Sequence, residues 1–345
     1  MPSLLIYGAY GYTGRLISEH AVERGLQPIL AGRDGAKVSA LAGELKLDHR
    51  TFSLDDPTAV TEGLSGIHTV LHAAGPYSAT ARPMLDGCLA EGVHYLDITG
   101  EIAVFELAAS LDEAAKAREI MLLPGVGFDV VPSDCAAALA ARRVPRAHNL
   151  ALGILGPGRI SRGTARTRVE VIDQPTRVRR EGEIVNREPG SLTRAFDFGR
   201  GDLETVAVSW GDVATAYYST GIPNITVYFP AKGLSTVYRL ADLLRPLVER
   251  PAVKELLKRA ISLRPAGPSE RQREKGTAVV IAEVRRGGRV ASERIETPGP
   301  YKLTYIAAVD AARRVLDGEW TAGFQTPSLA FGAEYVLSLP ECQRI

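Results

Sequence analysis

The chain has 345 residues, more than one typical domain needs and enough for two. A hydrophobic fraction of 45% and a charged fraction of 23% are typical of a globular protein with substantial cores. The formal net charge of +1 lacks the basic excess of nucleic-acid-binding proteins, so it does not favour that partner. Three cysteines lie far apart without a CxxC pair, and we recognise neither a signal peptide nor a membrane-spanning run. We therefore expect a cytoplasmic protein without a metal site or transmembrane segment.

The first third of the chain alternates short apolar runs with helical periodicity, as in a parallel sheet covered on both faces. Six strands with short turns are what a doubly wound Rossmann sheet requires. We expect residues 1–145 to form a dinucleotide-binding α/β domain of this kind. The predicted strands are Ser3–Tyr7, Gln27–Ala31, Arg50–Ser53, Thr69–Ala73, His94–Asp97 and Ile120–Leu123.

The pattern changes after Pro132-Ser133-Asp134, a helix start signal. We expect residues 146–319 to form a second α+β domain with a large mixed sheet, which would bind substrate and make a dimer interface. The predicted strands there are Asn149–Leu155, Ala165–Ile172, Thr205–Val208, Ile225–Phe229 and Thr277–Val284. The predicted helices are Leu234–Leu247, Val253–Ser262 and Leu303–Leu316.

A glycine motif, Gly8-Ala-Tyr-Gly11-Tyr-Thr-Gly14, stands between the first strand and an amphipathic helix. Gly8 allows a tight turn, Gly11 allows the backbone to approach a pyrophosphate, and Gly14 allows close helix–strand packing. The positive end of the helix dipole then faces the phosphate, so Tyr10, Tyr12 and Thr13 join the glycines as cofactor-binding candidates. The same glycines also occur where a strand simply meets a helix without a ligand.

Arg33 follows the second strand, about 20 residues after the last motif glycine, where an acidic residue holds the ribose of NAD. An arginine suits the 2′-phosphate of NADP instead, so we favour NADP over NAD. Asp34 could bind the ribose of NAD instead, which keeps NAD as an alternative cofactor. Arg33 could also be a solvated charge in a loop, without a role in cofactor binding.

Three further strand ends belong to the same edge of the predicted sheet. Ala74-Gly75-Pro76 follows the fourth strand and Thr99 follows the fifth, where ligands of open parallel sheets bind. Asp55, after the third strand, completes the set of predicted cofactor-binding residues.

With these residues, the chain resembles the saccharopine dehydrogenase-like oxidoreductases, including saccharopine reductase and trans-acting enoyl reductases. The resemblance implies an NADP-linked Rossmann domain, a second domain with the substrate floor, and a C-terminal segment (Thr326–Leu339, within 320–345) that packs on the first domain. The motifs that carry it are Tyr7–Gly14, Gly75-Pro76-Tyr77, His94–Glu101, Gly125–Asp134, Trp210-Gly211-Asp212-Val213 and Gly323–Pro327. Saccharopine reductases are longer than this chain, which puts saccharopine in doubt as the substrate.

Hydride transfer needs a proton source or an oxyanion partner near the nicotinamide. Tyr77 is the candidate beside the cofactor, and one of Tyr217 or Tyr218 is the candidate from the second domain. The alternative for each is an aromatic residue of the core or of an interface. If these two tyrosines lie in a strand, at most one faces a cleft. His72, near the end of the fourth strand, is interpreted as a core histidine. A run of arginines is either an anion clamp or a solvated strand face: Arg159, Arg162, Arg166 and Arg168.

The leading hypothesis is an NADP-dependent reductase or dehydrogenase acting on a C=N, C=O or conjugated C=C bond. Its substrate would be a small molecule, acyl or amino-acid-like, and a homodimer is expected by analogy. The alternative is a non-catalytic NADP-binding sensor or scaffold. A third hypothesis is an enoyl reductase beside a lipid synthase, for which an exposed apolar groove would be the sign.

Overall fold

The computed structural model describes residues 2–156, 161–162, 165, 174–231, 251–262 and 267–345. It divides into two compact units, one of residues 1–135 with 300–341, the other of residues 136–299 with 342–345. The predicted helix Leu234–Leu247 lies outside the described residues. So does the predicted strand Ala165–Ile172 except Ala165, and so does the arginine run except Arg162.

The first unit is built on a parallel sheet with the order β3-β2-β1-β4-β5-β6-β15, counted over the described residues. Its strands are β1 (Leu4–Tyr7), β2 (Ile29–Gly32), β3 (His49–Thr51), β4 (Thr69–His72), β5 (His94–Asp97), β6 (Met121–Leu123) and β15 (Gly323–Phe324). Most strand residues are buried, because helices cover both faces of a doubly wound sheet. The predicted Rossmann architecture is thereby confirmed.

Helices join these strands along the chain. They are α1 (Tyr12–Glu23), α2 (Gly35–Leu45), α3 (Pro57–Leu64), α4 (Tyr77–Glu91), α5 (Ile102–Ser110), α6 (Asp112–Ala117) and α7 (Val131–Arg143). Several begin at residues suited to that position: Asp56 caps α3 by accepting hydrogen bonds from the Thr58 and Ala59 amides, and Pro57 opens the helix.

The C-terminal part of the first unit is larger than the sequence predicted. It includes α11 (Pro300–Leu316), which the sequence pattern predicts in the second domain, together with α12 (Pro327–Phe331) and α13 (Tyr335–Ser338). Tyr301 and Tyr305 of α11 pack against Tyr12 and His20 of α1, with ring centroids 5.3 and 4.9 Å apart. The physical reason for the difference is the apolar face of α11, which closes the core cluster around β1 and β5.

The second unit has a mixed sheet with the order β10-β11-β12-β7-β13-β14-β16, counted over the described residues. β7 and β12 are parallel and their other neighbours antiparallel, which confirms the predicted mixed sheet. The strands are β7 (Asn149–Leu155), β8 (Thr176–Arg180), β9 (Glu183–Arg187), β10 (Thr193–Asp197), β11 (Asp202–Val208), β12 (Asn224–Pro230), β13 (Thr277–Arg286), β14 (Arg289–Pro298) and β16 (Gln343–Arg344). The helices are α8 (Asp212–Thr220), α9 (Pro251–Ser262) and α10 (Glu270–Lys275).

Candidate functional site

The strand order of the first sheet reverses beside β1, whose neighbours are β2 and β4. The loops that leave the carboxyl ends of β1 and β4 therefore diverge, and they open the crevice in which doubly wound sheets bind ligands. Gly8 and Ala74, one from each loop, stand side by side there. A Cβ added to Gly8 would lie 2.7 Å from the Cβ of Ala74.

Two glycines of the motif are required by the chain itself. Gly8 has φ +82°, a conformation that strongly favours glycine. A Cβ on Gly14 would lie 2.2 Å from the carbonyl oxygen of Gly8, so only glycine allows α1 to pack this closely against the turn.

Gly11 differs from both, because the chain does not fill the space beside it. Its φ of −66° is ordinary, and an added Cβ would meet, among the described residues, only the Gly8 carbonyl oxygen, at 3.2 Å. As the N-cap of α1, Gly11 has no side chain to accept hydrogen bonds from the first helical amides, such as that of Thr13. These amides and the helix dipole fit the pyrophosphate of a dinucleotide.

Two basic side chains and one aromatic ring lie near the carboxyl end of β2. Arg33 is exposed directly after the strand. Tyr10 packs on Gly32, where an added Cβ would lie 2.7 Å from the Tyr10 ring. The Lys37 ammonium lies 5.6 Å from the centroid of the same ring. This arrangement fits the 2′-phosphate and adenosine of NADP. The prediction omitted Lys37, although its place in the first turn of α2 put it at this end of the sheet.

Asp34, the alternative ligand for a ribose hydroxyl, is engaged elsewhere. Its carboxylate is the N-cap of α2, accepting a hydrogen bond from the Lys37 amide at 3.2 Å and from the Lys37 ammonium at 2.6 Å. The hydrogen bond from the Lys37 side chain lowers the pKa of Asp34. With Asp34 held as a helix cap, Arg33 is the residue at the end of β2 that suits the cofactor.

Asp55 lies in the loop after β3, where its carboxylate accepts a hydrogen bond from the Ser53 hydroxyl at 3.0 Å. It is exposed, and its contact with the cofactor stays a prediction.

Ala74, Gly75 and Pro76 join β4 to α4, and the first amides of that helix already have an acceptor. The carboxylate of Glu101 accepts hydrogen bonds from the Tyr77 amide at 2.9 Å and from the Ser78 amide at 2.7 Å. The N-terminus of α4 is therefore occupied by a carboxylate, whereas the N-terminus of α1 has no side-chain cap and fits a phosphate. The prediction placed Glu101 in a loop of this edge but did not give it a role.

Buried hydrogen bonds hold the loop that carries Glu101. Asp97 is buried and accepts hydrogen bonds from the Tyr95 hydroxyl at 2.6 Å, the Thr99 amide at 2.9 Å and the Gly125 amide at 2.8 Å. Burial raises the pKa of Asp97 to about 6. The Thr99 hydroxyl accepts a hydrogen bond from the Glu101 amide at 3.0 Å. Thr99 thus positions the Glu101 cap, and its direct contact with the cofactor stays a prediction.

Tyr77 is placed next to the crevice, but its hydroxyl turns toward the sheet. It donates a hydrogen bond to the His72 carbonyl at 3.3 Å, and its ring lies 5.3 Å from the His72 imidazole. Burial raises the pKa of Tyr77 well above its ordinary value. A phenol with a raised pKa releases its proton less readily, so this geometry favours a packing role over proton transfer.

His72 has the surroundings of a core residue. It is buried, its Nε2 atom lies 3.0 Å from the Thr80 hydroxyl, and burial lowers its pKa to about 3. The imidazole is therefore neutral at physiological pH, which supports the interpretation as a core histidine.

Tyr217 and Tyr218 lie in α8 of the second unit and not in a strand. Adjacent residues of a helix are about 100° apart around its axis, and the argument from opposite strand faces does not apply. The Tyr217 ring packs 4.2 Å from the Arg179 guanidinium. The catalytic assignment of Tyr217 or Tyr218 stays a prediction.

Comparison with known proteins finds a family match within the first unit. Residues 4–123 match the family model described as the saccharopine dehydrogenase NADP binding domain. This confirms the resemblance seen in the glycine motif and the choice of NADP.

Two curated relatives show how far the similarity extends. A trans-acting enoyl reductase of Mycobacterium leprae is 32% identical over 149 residues, covering 41% of this chain and 36% of the relative. A human saccharopine dehydrogenase-like oxidoreductase is 26% identical over 151 residues, covering 38% of this chain and 35% of the relative. The matches span about a third of the length of these relatives.

A solved structure extends the likeness of fold to the whole chain. Saccharopine dehydrogenase (L-Glu forming) from Saccharomyces cerevisiae has a TM-score of 0.63 and 10% identity and covers 100% of both chains. Within the described ranges, every helix is too short or too polar to cross a lipid bilayer. No group of three or more histidine, cysteine, aspartate or glutamate side chains in the described part of the chain is arranged to hold a metal ion.

Proposed function

We propose that the protein is an NADP-dependent oxidoreductase that transfers a hydride to or from a C=N, C=O or conjugated C=C bond. The observation that supports it most is the coincidence of two findings. The region that matches the NADP-binding family contains a turn whose middle glycine leaves room for a ligand rather than for the chain.

Each part of the site has a role in this proposal. Gly8, Gly11 and Gly14 bring the amides of the turn and of α1, including Thr13, to the pyrophosphate. Arg33 binds the 2′-phosphate, beside Tyr10. Tyr12 and Asp55 complete the walls of the cofactor-binding crevice. The part of the crevice that holds the nicotinamide is lined by Ala74, Gly75, Pro76 and Thr99. NADP supplies or accepts the hydride, while these residues bind and orient it.

The names of the relatives indicate a class of substrate, not a particular substrate. Their names include an enoyl reductase and a saccharopine dehydrogenase-like oxidoreductase, so we propose an acyl or amino-acid-like small molecule. The second unit (136–299 with 342–345) would carry the substrate floor and a homodimer interface, and the protein would act in the cytoplasm.

A non-catalytic NADP sensor is the second candidate. The engagement of the Tyr77 hydroxyl with a backbone carbonyl favours it, because this removes the predicted proton donor nearest to the cofactor.

Coenzyme binding tests the first step. NADPH and NADH are titrated into the purified protein, followed by fluorescence, with Gly11→Ala beside Gly43→Ala as its control. Gly43 lies in α2 and an added Cβ there meets nothing within 4 Å. We expect Gly11→Ala to weaken NADPH binding about tenfold or more, since its methyl group takes the space of the pyrophosphate, while Gly43→Ala binds as the wild type does.

Turnover tests the second step. Oxidation of NADPH is measured with imine, aldehyde and enoyl thioester substrates. Turnover of one class supports the enzyme and names its chemistry, whereas tight NADPH binding without turnover favours the sensor. No affinity for either coenzyme rejects both.

A further inference from the structure

A polar cavity of about 340 Å³ lies on the sheet of the second unit, within that unit alone. Several of its lining residues are paired across β12, β7 and β13, and their side chains share one face of this sheet. Asn149 of β7 pairs with Asn224 of β12 and Arg285 of β13, and one step along, Ala151 pairs with Thr226 and Glu283. The cavity is outside the part of the chain that matches the NADP-binding family.

Positive charge dominates the cavity wall. Among the described residues, its lining contains three guanidinium groups, those of Arg180, Arg194 and Arg285, and one carboxylate, that of Glu283. Arg194 forms a hydrogen-bonded ion pair with Glu283, and the Arg285 guanidinium lies 3.5 Å from the same carboxylate oxygen. One carboxylate is thus shared by two arginines, which leaves an excess of about two positive charges.

Arg180 is the arginine whose charge has no acidic partner among the described residues. Its guanidinium donates to two backbone carbonyl oxygens and, at 2.9 Å, to the Thr226 hydroxyl. These neutral acceptors orient the group without balancing its charge. Partial burial, reinforced by the nearby charge of Arg187, lowers the pKa of Arg180, as expected for a cation that lacks a counterion.

We propose that this cavity is a binding site for the oxyanion group, carboxylate or phosphate, of a small molecule, with Arg180 as its principal contact. A guanidinium group offers planar, paired donors that match both kinds of oxyanion. In the strand register Arg179 pairs with Ile225, while Arg194 pairs with Thr205 and through it with Pro230. Arg180 and Arg194 therefore belong to strand positions on opposite sides of the Thr226 row. The cavity volume is at the lower end of the range for small-molecule sites.

Binding is measured on the full chain with inorganic phosphate and with succinate, by calorimetry and by thermal stability. Sodium chloride of equal ionic strength corrects for general screening. We expect one of the two anions to bind and to raise the melting temperature, and Arg180→Gln to weaken its affinity about tenfold or more. The anion that binds tells which oxyanion the site accepts.

Two further variants make the result specific. Glu283→Gln removes the competing carboxylate and releases Arg194, so it should tighten anion binding. Arg289→Gln removes one positive charge from an exposed position in the same unit, outside the cavity wall, and should leave the affinity within about twofold. Unchanged NADPH affinity in all three variants shows that they are folded and that the two sites are independent.

Three outcomes would overturn the proposal. They are no binding of either anion by the wild type, an equal loss in Arg180→Gln and Arg289→Gln, and a change of oligomeric state in Arg180→Gln without anion binding. The last outcome would assign the cavity to contact between two copies of the chain.

Discussion

Arg33 and Asp34 are neighbours in the sequence, yet the structure gives them different tasks. Asp34 caps α2 and is bonded twice to Lys37, while the Arg33 side chain projects into solvent at the end of β2. The sequence placed both residues at the right strand end but left their roles open, because capping depends on the position at which α2 begins.

Arg33 should therefore decide between the two coenzymes. We expect Arg33→Gln to weaken NADPH binding about 10- to 100-fold, the equivalent of one charge-assisted contact, and to leave NADH binding nearly unchanged. Arg24→Gln, an exposed arginine at the end of α1, is the control for net charge. An equal loss for NADH and NADPH in fluorescence titrations would argue against 2′-phosphate recognition.

His72 predicts how stability depends on pH. Its pKa is about 3 in the folded protein and near 6.5 in the unfolded chain, so only the unfolded chain gains a proton as the pH falls between these values. Acidification then favours unfolding by about 1.4 kcal/mol for each pH unit in this window. We expect the free energy of unfolding of the wild type to fall more steeply from pH 6 to pH 4 than that of His72→Gln.

Urea unfolding at several pH values checks this prediction. The difference between the two proteins is what counts, because Asp97 and the other buried groups titrate in both. Parallel curves for the two proteins would show that His72 is protonated in the fold and not a neutral core residue.

At the scale of elements, α1 and α4 begin at the same edge of the first sheet, but their N-terminal amides are capped differently. The N-cap of α1 is glycine, while the amides of α4 are bonded to Glu101. A carboxylate at a helix N-terminus stabilises the helix through hydrogen bonds and through the helix dipole. This difference supports the proposal that the phosphate of the cofactor binds at α1 rather than at α4.

Glu101→Gln should consequently lower the free energy of unfolding by about 1 kcal/mol. Glu91→Gln is the matched control, since Glu91 ends the same helix, where a negative charge is unfavourable, and its loss should be neutral or slightly stabilising. Chemical unfolding of both variants measures the difference. Equal effects of the two substitutions would mean that the Glu101 carboxylate does not act as a cap.

Strands and helices were predictable from the sequence where their buried positions hold apolar residues. Leu4–Tyr7 and Thr69–His72 are wholly buried four-residue strands, so each appeared as an apolar run. β9 (Glu183–Arg187) has no buried residue, and the two residues of β15 are too few for any pattern, so both were missed. Helix α8 is absent from the predicted elements, because its alanine, valine, threonine and tyrosine residues suit a helix or a strand.

At the scale of the whole molecule, the first unit is completed by a later segment of the chain, residues 300–341. β15 extends the parallel sheet beside β6, and the Tyr335 hydroxyl donates to the Ala307 carbonyl of α11 at 3.2 Å. The returning segment was predicted from family resemblance. That α11 belongs with it was not, because an apolar helix face does not reveal which sheet it covers.

Two truncations separate the contribution of α11 and β15 to the first unit from that of β16 to the second. Removal of residues 300–345 takes away α11 and β15, exposing the apolar cluster around β1 and β5, whereas removal of residues 342–345 takes only the edge strand β16 from the second sheet. We expect the first truncation to abolish NADPH binding and the cooperative thermal transition, since loss of this much buried apolar surface exceeds the stability of an ordinary domain. The second should retain NADPH binding, because β16 pairs with Ile295 and Glu296 of β14 in the second sheet, not with the Rossmann sheet. A protein that still binds NADPH without residues 300–345 would show that the Rossmann sheet is complete with its six N-terminal strands.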